Sequence, residues 1–386
     1  MRVLVVSQAR YGVRNVIQSL LKELADDKSI EPSYLTIATH DAPPGVERIS
    51  LLSAELLNRY EGRQLRYLGY AVLNFWRRAY NWLAENHGRY DIIWFHTPRL
   101  LPLLPTDLTN KLLITYHNHL LSEAAHHYDR PARWYYQAFG TLEKRGLRRA
   151  NKARYTIVNP AVADELSSCG VSESRIRYVE NGVNTNRYNP NHDTNSVVRK
   201  YDLPTDRPLL LFLGRLKKQK RPELLVERFN EISTALNGDI QLVVAGKGER
   251  SEATRTIANE HGIDNISFLG YVPEDDKPPL YTAADYYVLP SSYEGSPLAL
   301  YEALASGTPA IVSDLPGTRF VAEEECGLVV DFEDTDDVGR IVEYITADDD
   351  HSSNARCYAK QNLDWTARTS EYREEFQKIH EQGVLS

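Results

Sequence analysis

Residues 209–224 have the sequence LLLFLGRLKKQKRPEL, which contains the junction of a strand and a helix. Five apolar residues at 209–213 predict a buried strand, and Pro222 is suited to the first turn of a helix. Between them, Arg215 and Lys220 lie where the strand ends. Such a junction is part of a βαβ unit, whose repetition makes a parallel sheet covered on both faces by helices.

The same alternation of short apolar runs and helix-length segments extends in both directions from this junction. It predicts further strands near residues 3–7, 91–95, 111–116, 155–159, 241–245, 266–269, 286–289, 310–312 and 328–330. The polar stretch 189–196 interrupts the alternation and predicts a linker. We therefore predict two Rossmann-like, doubly wound α/β domains that face each other across a cleft, over 1–190 and 191–363, followed by a helix over 364–386.

Composition and charge narrow the function classes. The 386 residues suffice for two domains, and the three cysteines lack the spacing of metal ligands, which indicates a reducing compartment. No apolar run is long enough to span a bilayer, so we expect a cytoplasmic protein. Residues 1–190 hold 25 basic and 18 acidic side chains, whereas 191–386 hold 20 and 35. The acidic second half argues against a nucleic-acid partner.

The basic loop after the strand at 209–213 is the first motif that carries chemistry. Arg215 can bind two oxygens of a diphosphate, and Lys220 can act as a point charge beside the start of a helix. The alternative is a solvated basic turn, because Lys217, Lys218 and Arg221 occupy the same loop.

A pair of glutamates in SSYEGSPLALYEALASGTP, residues 291–309, is the second motif. Glu294 precedes a glycine turn, where it can accept hydrogen bonds from sugar hydroxyls, and Glu302 lies on the helix that follows, where it can accept both hydroxyls of a ribose. The N–H groups at the helix start favour an anion. As an alternative, Glu294 is an ordinary N-terminal acid that stabilises the helix dipole, but this does not explain Glu302.

These motifs resemble those of the retaining family-4 glycosyltransferases, which have the GT-B fold. The resemblance is strongest in GRLKKQK (214–220), EGSPLALYE (294–302) and ALASGTPAIVSD (303–314). It extends to VENGVNTNRYNP, VVAGKGE, ISFLGYV and CGLVVDFED, and to the segment from Trp365, which in the family returns to the first domain. It covers most of 155–370 strongly and 1–120 more loosely.

The resemblance implies roles for the matching residues. It assigns His117, in TYHN, and Glu294 to catalysis at the transferring sugar. It assigns donor binding to Arg215, Lys220, Gly246, Ser296, Pro297, Leu298 and Glu302. Gly12 stands alone where the family usually has two glycines, so its phosphate contact is a weaker expectation that Arg14 could partly replace. His96, in FHTP, is a candidate for the acceptor side, although a strand-end histidine is often structural.

Other features depart from the family or remain open. Arg319 and Phe320 occupy a region where the family often has a glutamate. We expect no metal: Asp334 and Asp336 lie in an acidic turn, and no carboxylate or cysteine completes a site with His119, His126 and His127. The segment 55–82 places Arg59, Arg63, Arg66 and Arg77 on one predicted helix face, which suits an anionic membrane surface or a lipid-pyrophosphate acceptor, or else is a solvated helix face. A second basic cluster in the same domain contains Lys144, Arg145, Arg148 and Arg149.

The predicted function is that of a retaining, metal-independent hexosyltransferase without a cofactor. The donor is a nucleoside diphosphate sugar, with UDP expected ahead of GDP, and the acceptor is a glycan or a lipid-linked molecule at the cytoplasmic face of the membrane. Two alternatives stay open: a catalytically silent GT-B partner subunit and a sugar-nucleotide epimerase.

Overall fold

The computed structural model describes residues 1–8, 12–52, 71–117, 119–121, 132–347 and 350–384. The chain forms two compact domains. The first contains Met1–Asn181 and the segment that begins at Trp365, and the second contains Gly182–Asp364.

The first domain is built on a seven-stranded parallel sheet with the order β3-β2-β1-β4-β5-β6-β7. Its strands are β1 (Arg2–Val6), β2 (Glu31–Thr36), β3 (Glu47–Ser50), β4 (Ile92–His96), β5 (Leu112–Tyr116), β6 (Arg154–Ile157) and β7 (Ile176–Tyr178). Its described helices are α1 (Gly12–Asp26), α2 (Leu73–Asn86), α3 (Ala132–Arg149), α4 (Ala161–Ser168) and the last helix of the chain, α13 (Trp365–Val384). Strands β4 and β5 are fully buried, because both faces of these strands are covered.

The second domain has a six-stranded parallel sheet with the order β10-β9-β8-β11-β12-β13. Its strands are β8 (Leu209–Leu213), β9 (Gln241–Ala245), β10 (Ile266–Gly270), β11 (Tyr286–Leu289), β12 (Ala310–Ser313) and β13 (Gly327–Val330). Its helices are α5 (Asn195–Tyr201), α6 (Pro222–Ala235), α7 (Ser251–Glu260), α8 (Lys277–Thr282), α9 (Leu298–Ala305), α10 (Phe320–Glu323), α11 (Asp337–Thr346) and α12 (Ser352–Tyr358).

The division between the domains differs from the predicted seam after Pro190. The chain passes from one domain to the other between Asn181 and Gly182. Val183 and Tyr188 are buried in the core of the second domain, so residues 182–190 belong to it. The polar stretch that predicts a linker instead leads into α5.

The last helix, α13, packs in the first domain. The Tyr372 ring lies 4.6 Å from the Trp94 ring on β4. The carboxylate of Glu375, which is fully buried, forms an ion pair with Arg154 on β6 and accepts a hydrogen bond from Lys378 at 2.8 Å. The final helix is therefore a part of the first domain's core, with a buried charge pair at its centre.

No helix among the described residues combines the length and the hydropathy that a bilayer crossing requires. Of the predicted basic segment 55–82, residues 55–70 lie outside the described part of the chain, and these include Arg59, Arg63 and Arg66. The remainder overlaps α2, where Phe75 and Trp76 are buried and Arg77 is exposed.

Candidate active site

Two loops meet at the carboxyl edge of the second sheet. The strand order reverses between β8 and β11, and ligands of open α/β sheets bind outside the carboxyl ends of the strands at such a point. The loop after β8 spans 214–221, and the loop after β11 spans 290–297. The Gln219 side-chain amide donates a hydrogen bond to the Tyr293 carbonyl at 2.6 Å, and the Ser292 N–H donates to the Gln219 carbonyl at 2.9 Å. The topology thus brings both sequence motifs into one site.

Lys220 and Glu294 are in direct contact at this edge. The Lys220 ammonium forms an ion pair with Oε1 of Glu294, and the Ser291 hydroxyl donates a hydrogen bond to the same oxygen at 2.5 Å. The side chain of Lys220 is 19% exposed and that of Glu294 is 7% exposed. The structure therefore places the predicted phosphate-binding cation against the predicted sugar-binding carboxylate.

Of the five cationic side chains in the loop after β8, three interact electrostatically with one another, Arg215, Lys217 and Lys220. Lys217 is half-buried, and burial lowers the pKa of its ammonium; the positive charges of Arg215 and Lys220 lower that pKa further, while Glu249 opposes them. Repulsion between like charges is relieved when an anion binds among them. The arrangement therefore favours the diphosphate interpretation of this loop over a solvated basic turn.

Gly246 brings the loop after β9 against the loop after β8. Its φ is +136°, and a Cβ at this position would lie 1.8 Å from the Gly214 carbonyl oxygen. The Gly214 N–H donates to the Ala245 carbonyl at 3.0 Å, and the Leu216 N–H donates to the Lys247 carbonyl at 3.2 Å. Gly246 is thus required for the close packing that shapes the basic loop.

Glu302 lies on α9 beneath this edge, beside two tyrosines. The Tyr281 hydroxyl donates a hydrogen bond to Oε2 of Glu302 at 3.0 Å. Burial raises the pKa of Glu302, whereas the charge of Lys277 and hydrogen bonds from Tyr281 and Tyr188 lower it. The tyrosines hold the carboxylate in place, which sequence reasoning did not predict because the three residues are far apart in the chain.

Helix α9 starts directly after Pro297, so the N–H groups of Leu298 and its neighbours lie at a helix N-terminus. The Ser296 hydroxyl donates to the Tyr301 hydroxyl oxygen at 3.3 Å. Gly317, in the loop after β12, packs beside this turn, since a Cβ there would lie 3.3 Å from the carbonyl oxygens of both Glu294 and Gly295.

A cavity of about 310 Å³ lies next to the basic loop, between β9, β10 and α7. It is lined by Leu216, Val244, Gly246, Lys247, Gly248, Ser251, Arg255, Phe268 and Gly270. The Arg255 guanidinium lies 4.5 Å from the centre of the Phe268 ring, which forms one wall. The cavity therefore offers a flat aromatic face and two cationic side chains.

Arg319 and Phe320, which depart from the family motif, and the acidic turn at Asp334 all make contacts within the second domain. Arg319 forms an ion pair with Asp314 at 2.6 Å, and the Phe320 ring stacks on Tyr358 with 5.0 Å between ring centres. In the acidic turn, Oδ1 of Asp334 accepts the Asp336 N–H at 2.9 Å, as in a local capping turn. No group of three metal-ligating side chains is found among the described residues.

Two histidines lie together at the carboxyl edge of the first sheet. His96 ends β4, and His117 directly follows β5, its parallel neighbour. Nδ1 of His96 lies 2.8 Å from Nε2 of His117, with the rings nearly parallel at 15°. His96 is 1% exposed and His117 8%. The sequence assigned these residues separately to the acceptor side and to catalysis, and the structure joins them by one hydrogen bond.

Burial keeps both imidazoles neutral. It lowers the pKa of His117 to about 4 and that of His96 well below its ordinary value, to which the charge of His117 adds. Trp94 covers one face of His96, with 4.5 Å between ring centres. At neutral pH the pair therefore takes part in hydrogen bonding rather than ion pairing.

Two carboxylates that sequence reasoning missed hold the segment after His117. Glu165, on α4, contacts Nδ1 of His119 and accepts the Leu120 N–H at 2.8 Å. Glu143, on α3, accepts the Leu121 N–H at 2.7 Å and is buried. The contact between Glu165 and His119 is one that the sequence did not predict. A sequence signal for Glu143 exists, because it is a lone acid within a strongly basic helix.

The other first-domain candidates are only partly described. Gly12 is the first residue of α1, and residues 9–11 lie outside the described part of the chain, as do His126 and His127. Arg14 lies near Tyr34, whose pKa burial raises to about 12 and the charge of Arg14 lowers. Of the basic cluster on α3, Arg145, Arg148 and Arg149 are exposed.

The two parallel α/β domains together have the GT-B architecture of glycosyltransferases. Residues 193–362 match the family described as glycosyl transferases group 1, and residues 11–187 match Glycosyltransferase Family 4. These adjoining matches cover most of the chain, so the chain belongs to the group 1, family 4 glycosyltransferases. The expected family and fold are thereby confirmed.

Two curated relatives illustrate the similarity. The chain is 28% identical over 206 residues to the GDP-mannose-dependent alpha-(1-6)-phosphatidylinositol monomannoside mannosyltransferase of Mycobacterium tuberculosis, covering 51% of this chain and 53% of the relative. It is 27% identical over 299 residues to the D-inositol 3-phosphate glycosyltransferase of Corynebacterium urealyticum, covering 73% and 63%. The chain thus spans less than two thirds of the length of either relative.

Among solved structures, sucrose-phosphate synthase from Thermosynechococcus elongatus superimposes with a TM-score of 0.76. This comparison covers 98% of this chain and 99% of that structure at 21% sequence identity. At this identity the likeness concerns the fold.

Proposed function

We propose that the protein is a retaining glycosyltransferase that moves a sugar from a nucleoside diphosphate to a glycan or lipid-linked acceptor. The observation that supports this most is the cluster of Arg215, Lys217 and Lys220 beside Glu294 at the switch point of the second sheet. Burial lowers the pKa of Lys217, and repulsion from the positive charges of Arg215 and Lys220 lowers it further. A diphosphate would relieve that repulsion.

In this proposal each part of the donor has its own partner. The diphosphate binds Arg215, Lys220 and the N–H groups at the start of α9, around Ser296 and Leu298. The ribose hydroxyls donate to Glu302, which Tyr281 holds in place. The base enters the cavity beside Gly246, and the sugar hydroxyls donate to Glu294.

The reaction breaks the bond between the anomeric carbon and the diphosphate oxygen and forms a bond to the acceptor oxygen on the same face of the sugar. Negative charge grows on the leaving diphosphate, so Arg215 and Lys220 stabilise the transition state more than the ground state. The departing phosphate oxygen accepts the proton of the acceptor hydroxyl. His117 faces the transferring sugar, and no metal takes part.

The proposed acceptor includes a lipid-linked molecule at the inner face of the membrane. Residues 1–190 carry seven more basic than acidic side chains (25 against 18), and three arginines at the end of α3 are exposed. These charges favour an anionic membrane surface. The mycobacterial relative, by its name, acts on a phosphatidylinositol derivative with GDP-mannose. We propose UDP rather than GDP as the nucleotide of the donor, and the experiment below compares the two.

Thermal unfolding in EDTA with UDP, GDP, UDP-glucose or GDP-mannose tests the donor site. A ligand at a hundred times its Kd stabilises the folded protein by about 2.7 kcal/mol. We expect stabilisation by one nucleotide series, its loss in Lys220→Ala, and its retention in Lys218→Ala, which removes an exposed cation from the same loop. If no nucleotide raises the melting temperature, the donor site is refuted.

A transfer assay separates the alternatives. A silent partner subunit would bind the nucleotide but release none from the sugar nucleotide, and an epimerase would convert the sugar without releasing nucleotide. We expect acceptor-dependent release of UDP or GDP that Glu294→Gln abolishes while nucleotide binding persists.

A further inference from the structure

The histidine pair restricts how His117 can contact a ligand. Its Nε2 is engaged by Nδ1 of His96 at 2.8 Å, which leaves Nδ1 as the ring nitrogen of His117 that has no hydrogen bond in this pair. Nδ1 of His117 and Nε2 of His96 are both buried and have no hydrogen-bond partner among the described residues. The pair thus has one shared hydrogen bond and two unsatisfied outer nitrogens.

The shared bond couples the protons of the two rings. Each neutral imidazole carries one proton. If Nδ1 of His96 donates, Nε2 of His117 accepts, and His117 must carry its own proton on Nδ1. If Nε2 of His117 donates instead, its Nδ1 is an acceptor, and His96 carries its proton on Nε2. His96 therefore determines whether His117 presents a donor or an acceptor.

The surroundings of the two outer nitrogens favour the first arrangement. A buried N–H without an acceptor is costly, and each arrangement contains one. In the first, this N–H belongs to His117, the more exposed residue of the two and the one that follows the strand. In the second, it belongs to His96, which is 1% exposed and is covered by Trp94. Both outer nitrogens are buried in the ligand-free protein, but His117 lies nearer the surface, so a ligand oxygen needs less displacement of the protein to meet its N–H.

We propose that His96 is a positioning residue that donates to Nε2 of His117 and thereby makes Nδ1–H of His117 a neutral hydrogen-bond donor to a sugar oxygen. The inference rests on the proposed placement of His117 at the transferring sugar. It gives His117 the task of orienting the sugar, and it excludes the role of a general base.

Nitrogen NMR of the protein labelled with ¹⁵N-histidine tests the proton positions directly, because protonated and unprotonated ring nitrogens have different chemical shifts. His117→Gln assigns the signals. We expect the proton of His117 on Nδ1 between pH 6 and 8. A proton on Nε2 of His117 would overturn the inference, whatever the activity of the protein.

Three variants of His96 test the consequence for catalysis. Asn can replace the N–H donor, Asp offers only an acceptor and would invert the proton position on His117, and Leu offers neither. We expect Leu and Asp to lower kcat roughly 10- to 100-fold, with Asn within a few-fold of the wild type. Equal losses in Asn, Asp and Leu would indicate a packing role and contradict the proposal.

Nucleotide-induced stabilisation, measured on the same variants, separates this inference from the proposed function. We expect it to be unchanged, because the contacts proposed for the base, the ribose and the diphosphate at the start of α9 lie in the second domain. If nucleotide binds and transfer occurs, but His96→Asp is as active as the wild type, the inference fails while the function stands. If no nucleotide binds to the wild type, the proposed function fails independently of the NMR result.

Discussion

The imidazole of His117 lies in a site that strongly disfavours its charged form, and this links folding to pH. In the unfolded chain the pKa of this imidazole is about 6.5, whereas in the folded protein burial lowers that pKa to about 4. The unfolded state therefore binds more protons between pH 6.5 and 4, and the free energy of unfolding falls as the pH falls through this range. Above pH 6.5 this contribution is complete and constant.

We expect the unfolding free energy of the first domain to be lower at pH 5 than at pH 7.5 by about 2 kcal/mol from His117 alone. His117→Asn should reduce this pH dependence, and His261→Asn, at an exposed site in the second domain, should not. Urea unfolding followed by tryptophan fluorescence measures it. A pH dependence that His117→Asn leaves unaltered would contradict the burial of a neutral imidazole.

Individual residues also show what the sequence could predict of the site. Lys220, Glu294 and Glu302 were identified because their motifs are local, and the structure brings the first two into contact. Tyr281 could not be found this way, since its contact with Glu302 depends on how α8 packs against α9. Side chains that hold a functional group in place come from distant elements and leave no spacing pattern.

At the scale of elements, the strongly apolar strands of both sheets were predicted to within a few residues. Strands β2, β3 and β7 were not. β2 contains Pro32 and Ser33, β3 has the polar sequence ERIS, and β7 has three residues. Because β3 and β7 are the edge strands of the first sheet, their burial and apolar content are low, and the apolar pattern that predicts a strand is absent.

Helix α13 offers a test of its buried ion pair. Glu375→Gln would leave the Arg154 guanidinium without its charged partner in the core, which costs about 3–5 kcal/mol. Glu374→Gln, at a neighbouring side chain that is 56% exposed and pairs with Arg177 at 2.6 Å, should cost under about 1 kcal/mol. Tryptophan fluorescence during urea unfolding compares the two variants, and similar costs would argue against a buried pair.

At the scale of the whole molecule, the tryptophans report on one domain. All five lie in the first domain, at positions 76, 82, 94, 134 and 365. Far-UV circular dichroism reports on both. The two signals together therefore distinguish the stability of one domain from that of the whole chain.

Apart from the weaker expectation for Gly12, the proposed nucleotide contacts lie in the second domain. We therefore expect a bound nucleotide to raise the unfolding midpoint seen by circular dichroism more than the midpoint seen by tryptophan fluorescence. Lys220→Ala should abolish both shifts. A larger shift in the fluorescence midpoint would place the nucleotide in the first domain instead and contradict the donor assignment.

The Lys220–Glu294 ion pair has a consequence for the order in which parts of a donor are recognised. In the ligand-free protein each charge is the other's counter-ion. An arriving diphosphate would pair with the Lys220 ammonium in place of Glu294. The freed Glu294 carboxylate could then accept hydrogen bonds from sugar hydroxyls. It follows that a free hexose competes with Lys220 for Glu294, whereas a hexose attached to a diphosphate does not. The Lys220–Glu294 ion pair would therefore weaken the binding of sugars that carry no diphosphate.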